Sequence, residues 1–105
     1  MPSVKVPRQI TIGGHNYEVY FNPELRDEND WGNINFRKQI IAINPERPPS
    51  QKAAALIHEI LHAVNRAYIS ERLEESIIAP LSEGLAQVMK SFDITLDWSD
   101  IKEVP

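Results

Sequence analysis

Cysteine is absent from the 105 residues, and with it go disulfides, thiolate nucleophiles and every cysteine-based zinc knuckle. No apolar run approaches the ~18 residues that a membrane-spanning helix needs, and the opening "MPSVKVPRQI" has no hydrophobic block of the kind that heads a secreted chain. The sequence therefore reads as cytoplasmic, with no membrane partner. Positive charge is also scarce. Eleven Lys and Arg against fifteen Asp and Glu give a formal charge of −4, and basic residues stand singly except for Arg37-Lys38. Nothing in that distribution attracts a polyanion, so nucleic acid is not expected as a partner. What remains is 42% apolar and 25% charged, which excludes wholesale disorder and leaves room for one hydrophobic core. Residues 1–105 are expected to form a single domain.

The hydrophobic period changes once along the chain. Residues 9–43 alternate as strands do: "QITI", a Gly13-Gly14 turn, "YEVYF", then a loop "NPELRDEND" rich in turn formers, then "WGNINF", Arg37-Lys38 and "QIIAI". This predicts a small antiparallel sheet built from two hairpins. The prolines of "NPERPPS" stop the strand pattern, and Ser50 is placed to cap a helix that begins "QKAAALIHEILHAVNRAY". Ser70 is placed to cap a second, "ERLEESIIAPLSEGLAQVMKSF", with Glu71 in its first turn where the helix dipole favours an acid. Strands followed by helices give an α+β fold.

Inside the first helix stands "LIHEILHAV", an apolar run interrupted by His58, Glu59 and His62. At about 100° per residue, positions four apart lie one above the other. Two imidazoles at that spacing can share one metal ion, with Zn–N bonds of about 2.0–2.1 Å. Glu59, one position round from His58, is suited to holding the proton of a water at that metal, the division of labour of the H-E-x-x-H motif. Three fixed identities arise by chance in roughly one in several hundred chains of this length, yet burying two unpartnered histidines and a glutamate among Leu56, Ile57, Ile60, Leu61 and Val64 would be costly. The expected cofactor is Zn²⁺.

A catalytic zinc site needs a third protein ligand and an open position. No histidine follows His62, so the ligand is expected among Glu71, Glu74, Glu75 and Glu83. Ile77, Ile78, Leu81, Leu85, Val88, Met89 and Phe92 define an apolar arc; Glu83 lies on its far side and Glu74 near its centre, while Glu71, Glu75 and Ser82 run along one margin. A carboxylate on that margin can reach a metal held by the neighbouring helix, and Glu75 is the first choice, with Glu74 next. Pro80 removes the hydrogen bond to Ser76 and is expected to kink or restart the helix.

The succession of a strand hairpin, "GNINFRKQIIAI", "HEILHAV" and "EESIIAPLSEGLAQVMKSF" resembles the minigluzincins and a group of small phage-associated H-E-x-x-H proteins, over residues 32–92. The resemblance implies a minimal zincin-like scaffold of small sheet, active-site helix and glutamate helix. Carried over, it makes His58 and His62 ligands, Glu59 general base or acid, and Glu75 third ligand. Pro80 and the tail "DITLDWSDIKEVP" depart from that pattern.

The function expected from these residues is a zinc metallopeptidase acting on a peptide or protein substrate. A second reading keeps the zinc without turnover, as a regulatory or interaction module, and a third makes the histidines ordinary packed residues. An oxyanion stabiliser is expected among Tyr68, Tyr17, Tyr20 and His15, and an extended peptide is expected to add to the sheet edge "INF" or "QIIAI". The tail has two readings. As "ITLDW" it alternates like a final edge strand; alternatively Asp93, Asp97, Asp100 or Glu103, anchored by Trp98, lies against the metal and holds the enzyme latent.

Overall fold

Gly13 and Gly14 close the first hairpin with positive φ, +60° and +79°, the conformation that a two-residue turn between twisted strands demands. In the computed structural model, which describes residues 3–105, the strands they join are β2 (Gln9–Ile12) and β3 (His15–Phe21), with Ile12 opposite His15. They follow a short β1 (Ser3–Lys5). Gly13 is required on a second count: a Cβ there would sit 2.5 Å from the Cβ of Ala67, so the turn packs directly on the end of a helix.

The second hairpin is β4 (Gly32–Asn35) with β5 (Ile40–Ile43), its connection held by the Asn35 side chain accepting from the Lys38 amide at 2.9 Å. The sheet they complete is mixed rather than antiparallel throughout. Its order is β2-β3-β5-β4, and β3 runs parallel to β5, with Val19 opposite Ile41 and Phe21 opposite Ile43. Side-chain chemistry explains which strand goes inside. Ile41, Ala42 and Ile43 are all buried, so β5 is apolar on both faces and suits an interior position, whereas "GNIN" exposes Asn33 and Asn35 and takes the edge. A 3-10 turn, Pro23–Arg26, capped by Asn22, carries the chain from β3 to the far edge.

Helix α1 (Pro49–Tyr68) begins one residue before the serine expected to cap it. Pro48 is the N-cap without any side-chain hydrogen bond, and Ser50 lies inside the first turn. The proline's fixed φ suits the helix start, and its missing N–H would have been unsatisfied there anyway. α1 lies across the sheet through Ala55, Leu56 and Ala63, with Ile60 and Val64 beside them, and packs on β2, β4 and β5. The second helix starts later than its pattern suggests: α2 is Glu75–Ser91, with Glu74 as N-cap. Ser70 and Glu71 both adopt left-handed φ of 57°, which ends α1 and makes residues 70–74 a loop, so Ser70 caps nothing. Pro80 leaves α2 continuous; its missing N–H falls near the helix start, on an exposed side.

α2 packs chiefly on α1. The tail supplies β6 (Thr95–Asp97), parallel to β1, then runs beside β3, where Phe21 donates to the Lys102 carbonyl at 2.8 Å and accepts from Val104 at 2.9 Å. Ile101 joins the core of Val6, Ile12, Tyr17, Val19, Ile41, Ile43 and Leu56, and the Trp98 ring lies 5.5 Å from that of Phe21. No helix among the described residues is long and apolar enough to cross a membrane.

Candidate metal centre

One turn of α1 separates His58 from His62, and their rings stand side by side with centroids 4.9 Å apart and Nε2 atoms 3.1 Å apart. Glu75, at the first position of α2, reaches across with both carboxylate oxygens: Oε1 is 2.7 Å from His58 Nε2 and Oε2 is 2.8 Å from His62 Nε2. Three donors thus converge from two helices on one point. Donors that share a tetrahedral zinc at about 2.0 Å lie roughly 3.3 Å from one another; the two nitrogens, 3.1 Å apart, come close to that spacing, while the 2.7 and 2.8 Å contacts of Glu75 are those of direct hydrogen bonds to the imidazoles. Two nitrogens and a carboxylate are also the donor types a zinc accepts readily.

Glu59 completes the group. A carboxylate oxygen of Glu59 and ring nitrogens of His58 and His62 lie within 4.8 Å of one another. That proximity would permit Glu59 to be the third donor, whereas Glu75 spans both nitrogens at hydrogen-bond distance. Glu59 is only 6% exposed. Burial, then the nearby carboxylates of Glu75 and Asp30, push its acid up to about 8, because the charged form loses its hydration and meets like charge. On its other side lies the edge strand: a Cβ on Gly32 would come within 3.5 Å of Glu59 Oε2 and 2.9 Å of the Ala42 carbonyl. Glycine at position 32 therefore leaves space beside the carboxylate that any side chain would fill.

Ser82 supports His58 from α2. Its hydroxyl donates to the Ala79 carbonyl at 2.7 Å and lies 3.5 Å from His58 Nδ1. With its one proton so used, the hydroxyl can only accept from the ring, which favours the tautomer protonated on Nδ1 and leaves the Nε2 lone pair for a metal. Asn65, three residues beyond His62, donates to the Leu73 carbonyl at 3.0 Å and accepts from the Leu73 amide at 3.1 Å. It fixes the loop two residues ahead of Glu75.

The other expected acids stay away from the centre. Glu71 pairs with Arg66 at 3.5 Å, and Glu74 faces the Ser76 hydroxyl at 3.5 Å. Glu83 is exposed and stands at the rim of a cleft of about 400 Å³ that also takes in His58, Glu59, Glu75, Ser82, Asp30 and Gly32. None of Tyr17, Tyr20, Tyr68 and His15 lines that cleft. Tyr17 is buried in the core, Tyr20 donates to Glu18, Tyr68 accepts from the Gly13 amide, and His15 meets Gln39. The tail acids Asp93, Asp97, Asp100 and Glu103 do not line it either; the tail is strand and core. A larger groove of about 520 Å³ adjoins the cleft, sharing Trp31, Ala54 and Glu83 and adding Met89, Ile94 and Leu96.

The apolar arc of α2 faces α1 by its margin and not by its centre. Ile78 and Ser82 are buried, while Ile77, Leu81, Leu85, Val88 and Phe92 are exposed. Glu75 reaches the histidines because it shares the Ser82 side of the helix. Asn65, Ser82 and Gly32 went unassigned in the sequence. The available signals were an asparagine continuing the polar stripe of α1 and a serine two turns beyond Glu75. Compared with protein-family models, curated proteins and solved structures, the chain matches none.

Proposed function

We propose that the protein is a zinc-dependent peptidase, with His58, His62 and Glu75 holding the ion and Glu59 handling the proton. The observation that carries this reading is the convergence of both Nε2 atoms and both Glu75 oxygens on one point, with a buried carboxylate beside it. A bound zinc supplies Lewis acidity, which activates water for attack and polarises the scissile carbonyl. The charge of a bound ion would oppose the burial that holds the Glu59 acid at about 8, leaving a carboxylate to accept the proton of the attacking water and deliver it to the departing amine.

Substrate placement follows from the sheet. β4 is an edge strand that starts at the cleft, so its outer backbone groups can pair with an extended peptide and lay it across the centre. β5, the other segment expected to offer an edge, lies between β3 and β4 and has none to offer.

The test is zinc stoichiometry on purified protein together with cleavage of a peptide library by the wild type and by Glu59→Gln. The expected result is about one zinc per chain, lost in His58→Ala and His62→Ala, with cleavage present in the wild type and abolished in zinc-loaded Glu59→Gln. Zinc retained without cleavage by the wild type supports the non-catalytic metal-binding module instead. No zinc bound even on addition overturns both readings.

A further inference from the structure

α2 carries a continuous apolar stripe on the flank next to the Ile78 and Ser82 margin that meets α1. Ile77, Leu81, Leu85, Val88 and Phe92 are 42–70% exposed and recur at spacings of three and four, so all five fall within about a quarter-turn of the helix circumference. Together they leave on the order of 400 Å² of contiguous apolar surface, a patch large enough to be functional on a protein of this size.

We propose that this stripe is the interface of a two-fold symmetric dimer in which α2 packs antiparallel against α2 of a second copy. The order of the residues is the argument. Ile77 and Phe92 are equidistant from the Gly84-Leu85 bond, and so are Leu81 and Val88. An antiparallel helix centred on that bond therefore sets Ile77 against Phe92 and Leu81 against Val88, twice each, with Leu85 of each copy set over Gly84 of the other beside the two-fold axis. A self-complementary patch is what an isologous contact needs. Gly84 sits beside Leu85, and a Cβ there would meet nothing within 4 Å in the single chain. Its bare backbone lets the two helices approach closely beside the axis. Glycine is otherwise the poorest non-proline residue for a helix interior, and nothing within the chain requires it.

Charge does not oppose the pairing. Between Ile77 and Phe92 the charged residues of α2 are Glu83 and Lys90, both on the far side of the helix from the stripe, and the exposed margin is Pro80, Gly84, Gln87 and Ser91. The contact would bury about 800–900 Å² in total, below the ~1,200–2,000 Å² of stable interfaces and in the range of weak, transient ones, so the dimer is concentration-dependent and dissociates on dilution. The two metal centres would lie at opposite ends of the helix pair, about 28 Å apart along the axis, with neither cleft covered.

Self-association is measured by sedimentation velocity on the full chain from about 5 µM to about 1 mM, independently of zinc or cleavage. The expected result is a rise from 12.0 kDa toward twice that mass, reduced at least tenfold in apparent affinity by Leu85→Glu and by Val88→Glu. Both positions are exposed in the single chain, and circular dichroism checks that each variant is folded. Because the chain has no cysteine, Leu85→Cys reports the axis directly: oxidation should give a cross-linked dimer, while Glu83→Cys on the opposite face should not. A monomer at every concentration overturns the proposal. So does association that survives both glutamate variants, or equal cross-linking through positions 83 and 85.

Discussion

Asn65 holds Leu73 by both ends of its amide, taking the Leu73 N–H at 3.1 Å and giving to the Leu73 carbonyl at 3.0 Å. The same residue's backbone carbonyl accepts from the amides of Ile69 and Glu71 at 3.1 and 3.0 Å. A single buried side chain, one turn past His62, thus determines where the second helix begins and so where Glu75 stands.

Asn65→Leu keeps the branching of the side chain and removes the clamp, leaving two partly buried backbone groups of Leu73 unpaired. Such groups cost about 1–3 kcal/mol each, so a loss of about 2–4 kcal/mol in urea unfolding of the metal-free protein is expected. Zinc affinity should fall with it, by about tenfold or more, as it does when a supporting residue is removed. Unchanged affinity would show that Glu75 finds the histidines without this loop.

Glu75→Ala and Glu83→Ala separate the two acids at the cleft. Glu75 touches both imidazoles, whereas Glu83 stands at the rim. Competition with a chelator should show zinc retention weakened by about a hundredfold or more in the first and hardly at all in the second, with Ser82→Ala between them at about tenfold. Equal retention in Glu75→Ala and Glu83→Ala would return the ligand role to another acid.

The metal-free protein should lose stability as the pH rises. Glu59 is held at about 8 by burial and by Glu75 and Asp30, against an ordinary value of 4.5. A carboxyl whose folded-state pKa is raised keeps its proton better in the folded chain, so its contribution is fully present below about 4.5 and is lost as the pH climbs through 8. Thermal unfolding in the presence of chelator should give a Tm for Glu59→Gln that is higher than wild type by several degrees at pH 8 and similar near pH 4. A wild-type curve parallel to that of Glu59→Gln across this range would contradict the assignment.

Truncation after Phe92 should unfold the protein rather than activate it. The segment removed contributes β6, the buried Ile101 and two backbone bonds to Phe21, and losing a fully buried isoleucine alone costs about 2–5 kcal/mol. Circular dichroism of the truncated chain decides the matter, with a folded, zinc-loaded product of raised peptide cleavage as the opposing outcome.

The sequence by itself settled what depends on spacing along one element. Helical periodicity put His58 above His62 with Glu59 beside them, and the Gly13-Gly14 pair and the proline run "NPERPPS" marked where strands turn and where they stop. The α+β order of strands before helices was legible for the same reason. Tertiary structure alone decided what depends on relations between elements. That β3 and β5 would lie parallel follows from burying a strand apolar on both faces, a choice made only when four strands compete for two interior places. That α2 would start at Glu75 was set by Asn65 reaching Leu73 across the interhelix loop, against a serine that looked like a cap. The apolar arc of α2 indicated a buried face, but its centre stayed exposed because α1 meets the Ile78 and Ser82 margin. Amphipathic pattern fixes how a helix is divided into faces; which face meets a neighbour is set by packing against chain that lies elsewhere in the sequence.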